Sequence, residues 1–257
     1  MAENDSGSLG KKIFFLYPSV IIQNQVIAEL AQEEFEVYTV KDEAKLKHAL
    51  KKIPDSIVFA CINEGMKESV WYEWIRGIMG SSEIAGVQIG VIASTNDDTV
   101  RRKYTEQLKV PCGYTVVKSD INTVTKQLIN ILGTVNAKGR RKYIRAMTDK
   151  ETNTTVNLPI NGTFVNGAIK DISVVGFSCI FADDPELKKN SLFPDIQIRL
   201  QSQLLKAEGI VFGSRMDEGQ KNYVFLFTQR VDSDVRTRIR KYIQSNLQSK
   251  MDIELKG

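Results

Sequence analysis

The spacing of apolar residues changes near the middle of this 257-residue chain, and this change constrains the fold more than any other feature. Between residues 11 and 133, short apolar runs alternate with amphipathic segments. After residue 143, apolar residues recur mostly at every second position, in short segments separated by turn residues. The two patterns require different kinds of sheet. Since one hydrophobic core usually serves roughly 100 to 200 residues, the sequence predicts two domains.

The first half of the chain alternates between strand and helix patterns. Apolar runs such as Ile13–Leu16 and Ile57–Ile62 are continuously hydrophobic, as strands covered on both faces are. Segments between them, such as Asp42–Lys52, place most of their apolar residues on one helical face. Parallel strands need crossover connections, which are usually helices. Residues 11–133 are therefore predicted to form an α/β domain around a flavodoxin-like, parallel five-stranded sheet.

The second half is predicted to form an antiparallel β-barrel followed by a C-terminal helix. About six short strands are expected, among them Thr163–Ile172 and Gly176–Phe181, because closure into a barrel removes exposed edges. Asn166–Gly167 fits either a tight turn or a bulge within one strand. The helix is expected from Ser233 to about Lys250. Its basic residues suit a solvated face or, alternatively, contact with an acidic partner: Arg230, Arg236, Arg238, Arg240 and Lys241.

Composition limits the classes of partner and the compartment. The net charge of +4 is mild and spread along the chain, so it favours neither nucleic acid nor membrane as a partner. Cys61, Cys112 and Cys179 lack the spacing of a disulfide framework or a metal site, so we expect buried cysteines in a reducing compartment. Residues 1–10 are polar and lack the apolar core of a signal peptide. With no apolar run long enough to span a bilayer, the protein is expected in the cytoplasm.

Two short polar motifs, R-x-x-x-R and D-x-S-x-x-G, lie in the second half. The first contains Arg141 and Arg145, whose planar guanidinium groups can each bond two phosphate oxygens. The second contains Asp171, Ser173 and Gly176, which supply a carboxylate, a hydroxyl and a backbone that can turn tightly or approach a ligand. The same residues also fit a solvated basic segment followed by a turn whose short side chains bond their own backbone.

In this order the two motifs resemble the signature of the PilZ family, small β-barrels that bind the bacterial second messenger cyclic di-GMP. The resemblance covers roughly residues 138–245 and implies binding without catalysis, with cyclic di-GMP as a ligand and no cofactor or metal. Arg140 stands where an arginine tends to accompany two stacked ligand molecules in this family, so a stacked pair is expected. The implied ligand-binding residues are Arg140, Arg141, Arg145, Asp171, Ser173 and Gly176.

The first half resembles the receiver domain of response regulators in architecture, but it lacks most of the chemistry. Tyr17–Ser19 and Asn63 stand where receivers carry a magnesium-binding acidic pair and a phospho-accepting aspartate, whereas Ser94 or Thr95 and Lys118 match phosphoryl-contacting positions. Without carboxylates, a magnesium ion has few ligands, and an asparagine cannot form an acyl phosphate. We therefore expect a pseudo-receiver that contacts a protein partner; a purely structural α/β domain is the alternative.

Together these features predict an effector in which ligand binding acts on the junction between two domains. A ligand held by residues 140–145 would stiffen a linker whose glycines, Gly133 and Gly139, predict a hinge, and would change domain arrangement or partner contacts. The alternative is a signalling scaffold whose pseudo-receiver binds a partner without nucleotide control. No catalytic motif indicates an enzyme, and the single histidine, His48, lies among lysines. The predicted segments are a disordered N-terminus (1–10), a pseudo-receiver (11–133), a linker carrying the start of the arginine motif (134–142) and the barrel with its helix (143–257).

Overall fold

In a computed structural model, the chain divides into two compact units. One unit comprises Met1–Lys142 with Gln248–Gly257, and the other comprises Tyr143–Leu247. The structure describes residues 10–84, 86–117, 120–148, 153–217 and 219–256. Residues 1–9, most of the segment expected to be disordered, and Lys118, which was matched to a receiver position, lie outside the described residues.

The first unit is built on a parallel five-stranded sheet, which confirms the fold predicted from the alternating pattern. The strands follow the order β2-β1-β3-β4-β5, which is the flavodoxin-like arrangement. Every residue of β3 is buried, as expected for a central strand covered on both faces. The strands are β1 (Ile13–Leu16), β2 (Val37–Val40), β3 (Ile57–Cys61), β4 (Gln88–Ala93) and β5 (Tyr114–Val116).

Helices connect these strands. They are α1 (Ala28–Gln32), α2 (Glu43–Leu50), α3 (Glu68–Met79), α4 (Asp98–Arg102) and α5 (Ile121–Thr134). A π-helical segment, Ile22–Ile27, leads into α1, and another, Lys103–Gln107, follows α4. Asp42, Asp97 and Asp120 cap α2, α4 and α5, because each side chain accepts a hydrogen bond from a backbone N–H of the first turn.

Gly133, one of the two glycines from which the sequence predicted a hinge, lies within the last turn of α5. The helix extends past Leu132 to Thr134. Beyond it, Ala137 is buried in the core of the first unit, and its carbonyl oxygen accepts a hydrogen bond of 2.8 Å from the N–H of Lys11. The chain therefore packs on the first unit through at least Ala137, and Gly133 is held by helical bonding rather than serving as a free hinge.

The second unit is a closed antiparallel barrel of six strands, as the period-two pattern predicts. The ring runs β8-β7-β10-β11-β12-β9 and closes where β9 pairs with β8. A short additional strand, β6, also pairs with β8. The strands are β6 (Ala146–Met147), β7 (Thr154–Ile160), β8 (Thr163–Ser173), β9 (Gly176–Phe181), β10 (Leu192–Leu200), β11 (Gln203–Asp217) and β12 (Gln220–Phe227).

A helix of 22 residues, α6 (Ser233–Glu254), follows the barrel. Its apolar side chains Ile239, Tyr242 and Ile243 belong to the hydrophobic core of the barrel. The helix continues beyond the predicted end near Lys250, and its residues from Gln248 onward belong to the first unit. Among the described residues, no helix is both long enough and apolar enough to cross a bilayer.

Candidate functional site

The D-x-S-x-x-G motif forms the hairpin turn between β8 and β9. Ser173 ends β8, Gly176 begins β9, and Val174 and Val175 form the turn. The Ser173 hydroxyl donates a hydrogen bond of 3.1 Å to the carbonyl oxygen of Gly176 and accepts one of 3.4 Å from the N–H of Val175. Ser173 therefore closes its own turn, which is the local bonding that the sequence left open as an alternative to a ligand contact.

A bulge at Lys170 decides which face of β8 presents Asp171. The ladder between β8 and β9 is regular up to Ile169, omits Lys170 and then pairs Asp171 with Ser178. The extra residue shifts the side-chain alternation by one position, so Ile172 packs in the barrel core in place of Asp171. Without the bulge, the carboxylate of the motif would point into an apolar interior.

The irregularity that the sequence suggested at Asn166–Gly167 is absent. These two residues pair in regular register with Asn157 and Val156 of β7. The glycine has a different explanation, because a Cβ at Gly167 would lie 2.7 Å from the ring of Phe181. The bulge of β8 therefore falls three positions later, at Lys170.

Asp171 is held by two neighbours. Its Oδ1 accepts a hydrogen bond of 2.9 Å from Nη1 of Arg145, and its Oδ2 accepts one from the hydroxyl of Ser178. Asp171 is only 6% exposed, whereas 44% of the Arg145 side chain is exposed. Strand β6 brings Arg145 to this position, because Ala146 pairs with Ile172. The buried carboxylate thus orients an arginine that remains open to solvent.

Gly176 is required by the packing of β9 against β12. A Cβ at this position would lie 2.1 Å from the carbonyl oxygen of Phe225, far inside van der Waals contact. Gly176 also pairs with Leu226 in the ladder between these strands. Any side chain would push β9 and β12 apart, so the barrel itself requires the glycine of the motif.

A residue of α6, Arg236, also contacts the motif, although the sequence suggested for it only a solvated face or contact with an acidic partner. Its Nη1 donates to the carbonyl oxygen of Val174 and its Nη2 to that of Thr228, each at 2.7 Å. The residues joined by the first contact are 62 positions apart, so no local pattern signals it. Ser178 was missed for a similar reason, because its pairing with Asp171 depends on the bulge.

The other predicted ligand-binding arginines, Arg140 and Arg141, lie in the first unit. Arg140 and Arg141 are exposed residues near the end of the first unit, whereas Arg145 belongs to the second unit together with Asp171, Ser173 and Gly176. Within the second unit, the structure brings Arg145 and Asp171 into direct contact.

Hydrogen bonds hold Asn63 and Tyr17 at the carboxyl edge of the first unit's sheet. Asn63 follows β3, and its Oδ1 accepts a hydrogen bond of 2.7 Å from the N–H of Ser94. Tyr17 follows β1 with a φ of 54° and donates a hydrogen bond of 2.7 Å to Glu43. This bond, together with burial, raises the pKa of Tyr17 to about 12. In the described parts of the chain, no group of three or more His, Cys, Asp or Glu residues is placed to hold a metal ion.

An open cavity of about 550 Å³ lies at the same edge. Its lining is mainly apolar and includes Ile22, Ile92 and Val117, with Asn63 and Ser94 among its polar members. The cysteines, expected to be buried, are all buried in the structure.

Comparison with known proteins finds one family match, in the second half of the chain. Residues 139–245 match the model of the PilZ domain. No curated protein matches the chain.

Several solved structures are similar to part of the chain. The PilZ domain of YcgR from Escherichia coli with c-di-GMP is 15% identical, with a TM-score of 0.38, covering 44% of this chain and 96% of that one. The MrkH–c-di-GMP complex of K. pneumonia is 19% identical, with a TM-score of 0.40, covering 47% and 57%. Borreliella burgdorferi PlzA in complex with c-di-GMP is 15% identical, with a TM-score of 0.30, covering 44% and 51%. The chain thus spans little more than half the length of the MrkH and PlzA structures.

Proposed function

Residues 139–245 of this chain form a PilZ domain, and from this we propose that the protein is a cyclic di-GMP-binding effector without catalytic activity of its own. The observation that carries this proposal is that the matched region contains both halves of the motif pair in order. These residues are Arg141, Arg145, Asp171, Ser173 and Gly176. Cyclic di-GMP has two phosphates and two guanines, and these groups suit guanidinium forks and a carboxylate acceptor.

Arg145 is oriented in advance for a phosphate or a guanine face. An arginine has five N–H donors in one plane, and the ion pair with Asp171 uses Nη1. Because the pair restrains the side chain, less conformational entropy is lost when the ligand binds to its exposed side. In the proposed complex, Arg141 supplies the second guanidinium from the linker. Arg140 adds a third beside it, for a second, stacked ligand molecule.

Asp171 is assigned to a guanine base. An ionised carboxylate has about four lone-pair sites, of which Arg145 and Ser178 take one each in the structure. The remaining sites can accept from the N1 and N2 donors of guanine, a pair of donors that adenine does not offer. Ser173 and Gly176 flank the turn beside this contact. Replacing Asp171 with asparagine should therefore reduce preference for cyclic di-GMP over cyclic di-AMP; equal weakening of both ligands would contradict the base contact.

We also propose that the first unit is a receiver-like module that contacts a protein partner without being phosphorylated. Asn63 cannot carry an acyl phosphate, and its side chain is bonded to the backbone of Ser94. Beside the cavity at this edge, Val20 is 70% exposed and Ile21 is 52% exposed, which suits burial against another protein. Ligand held by residues 140–145 would then alter the domain arrangement or this contact. Incubation with acetyl phosphate should leave the protein unlabelled.

Isothermal titration of cyclic di-GMP into the full chain tests the main proposal. We expect saturable binding, no competition by GTP, and a loss of about 2 to 5 kcal/mol for Arg141→Ala, the range for removing one partner of a desolvated charge contact. Lys142→Ala makes the same change of charge at the adjacent variable position of the motif and serves as the matched control. Wild-type affinity in Arg141→Ala would contradict the assignment. No heat from the wild type at tens of micromolar would favour the scaffold without nucleotide control.

The same titration tests the stacked pair separately. We expect close to two ligands per chain for the wild type and close to one for Arg140→Ala, because the added guanidinium is assigned to the second molecule. One ligand per chain in the wild type would remove the stacked pair and leave the binding function intact.

A further inference from the structure

We propose that Arg236 is a positioning residue for the cyclic di-GMP site, which it reaches through the backbone of the motif turn and not through the ligand. This inference rests on the proposed function. It assigns to the site a residue that lies on α6, outside both sequence motifs.

The contacts of Arg236 join the motif turn to the end of β12. Its two terminal nitrogens donate to the carbonyl oxygens of Val174 and Thr228, both at 2.7 Å. Because the donor is charged and planar, these bonds are stronger and more directional than those between neutral groups. A second bond ties the same elements together, since the N–H of Phe227 donates to the carbonyl oxygen of Val175 at 2.9 Å.

A single peptide plane transmits the effect of Arg236 to the motif. The carbonyl group of Val174 and the N–H group of Val175 belong to one rigid peptide unit. Arg236 holds the oxygen of this unit, and the Ser173 hydroxyl accepts a hydrogen bond of 3.4 Å from its N–H. If Arg236 is removed, this peptide can rotate, and the orientation of the Ser173 hydroxyl changes with it. The motif serine is thus placed by a chain of two hydrogen bonds that begins on α6.

Arg238, a neighbouring basic residue of α6, makes a different contact. Arg238, two positions later on the same helix, donates from Nε to the side chain of Gln203 at 3.3 Å. Arg238 therefore provides a matched control with the same charge on the same element. Lysine at position 236 keeps the charge, but its compact ammonium group cannot reproduce a planar fork that reaches two carbonyl oxygens at once.

The test measures cyclic di-GMP affinity of the full-length Arg236→Met, Arg236→Lys and Arg238→Met variants. We expect about tenfold weaker binding for Arg236→Met, because binding must then order the backbone of about one residue in the turn. Arg236→Lys should fall between Arg236→Met and the wild type, and Arg238→Met should stay within about twofold of the wild type. In the ligand-free protein, the amide resonances of Val175 and Gly176 should move in Arg236→Met and remain in place in Arg238→Met.

Each alternative role predicts a different result. A purely structural arginine would lower the unfolding temperature of Arg236→Met and leave its affinity unchanged, which would overturn the inference. Equal weakening by Arg238→Met would also overturn it, since the effect would then be one of general charge. If Arg236→Met fails to fold, the affinity of Arg236→Lys provides the test. Wild-type affinity in Arg236→Lys would show that a planar guanidinium is not required, which would overturn the inference. Absence of binding by the wild type would overturn the proposed function itself, and the inference with it.

Discussion

Replacing Asp171 with alanine, alone and together with Ser178→Ala, tests how the buried carboxylate stabilises the junction of β8 and β9. The single change removes the hydrogen bonds from Arg145 and Ser178 at once. It also leaves the Ser178 hydroxyl, in a residue only 2% exposed, without its acceptor. The double change also removes the hydroxyl that lacks an acceptor. The losses of unfolding free energy from the two substitutions should therefore not be additive.

The expected magnitudes follow from burial. A buried polar group without a hydrogen-bond partner lowers the free energy of unfolding by about 1–3 kcal/mol, and a hydrogen bond to a charged group raises it by about 1.5–3 kcal/mol. The contribution of Arg145 lies at the low end, because 44% of its side chain is exposed and water can replace its partner. We expect Asp171→Ala to lower the free energy of unfolding of the barrel by about 3 kcal/mol and Ser178→Ala by about 1–2 kcal/mol. The double variant should lose about 1–2 kcal/mol less than their sum.

The assay must follow the barrel specifically. Both tryptophans, Trp71 and Trp74, lie in the first unit, so tryptophan fluorescence gives no direct signal from the barrel strands. Amide hydrogen exchange, followed by mass spectrometry on peptides from β8 and β9, measures the opening free energy of these strands. Peptides from β1 and β3 provide the internal control, since exchange there should not change.

Additive losses of unfolding free energy would contradict a shared bond between Asp171 and Ser178. If the double variant loses the sum of the two single losses to within about 0.5 kcal/mol, the carboxylate and the hydroxyl do not share an energetically significant bond. Asp171 would then be available to a ligand without competition from Ser178.

Two further predictions concern packing and burial. Gly176→Ala should destabilise the barrel by about 3 kcal/mol or more, because of the 2.1 Å approach to the Phe225 carbonyl oxygen. Gly213→Ala, whose Cβ would meet no atom within 4 Å, should change stability by no more than about 0.5 kcal/mol. Thermal or denaturant unfolding measures both variants, and equal losses of stability for Gly176→Ala and Gly213→Ala would contradict the packing argument. Burial raises the pKa of Cys61 to about 12 and that of Cys112 to about 11, which suppresses their thiolates at pH 8. A thiol-reactive disulfide reagent should therefore label these cysteines at least about 100-fold more slowly in the native than in the unfolded chain, and rapid native labelling would contradict their burial.

The fold classes of both halves follow from local apolar patterns. Runs such as Ile57–Ile62, apolar at every position, indicate a strand with both faces covered, and the structure buries all of β3. The period-two segments after residue 143 predict a barrel, and six strands close into one. These predictions succeed because side-chain periodicity and turn residues act within a few positions of each other along the chain.

The ends of elements were less predictable. The helix α5 continues through Gly133, because a single glycine costs only about 1 kcal/mol of stability in a helix that is held in place by packing. Similarly, β10 begins at Leu192, although its alternation of apolar and polar residues begins only at Ile196, because pairing with β11 extends the strand. In both cases tertiary contacts outweighed a local signal.

The residue types of the proposed site and their order can be read directly from the sequence: guanidinium groups precede a carboxylate, a hydroxyl and a glycine. The contacts of these residues depend on the fold. The bulge at Lys170 places Asp171 beside Ser178, β6 brings in Arg145, and α6 brings Arg236 to the turn. These contacts join residues 7, 26 and 62 positions apart. They depend on strand register and barrel closure, which are set by the packing of the whole domain and leave no periodic trace in the chain.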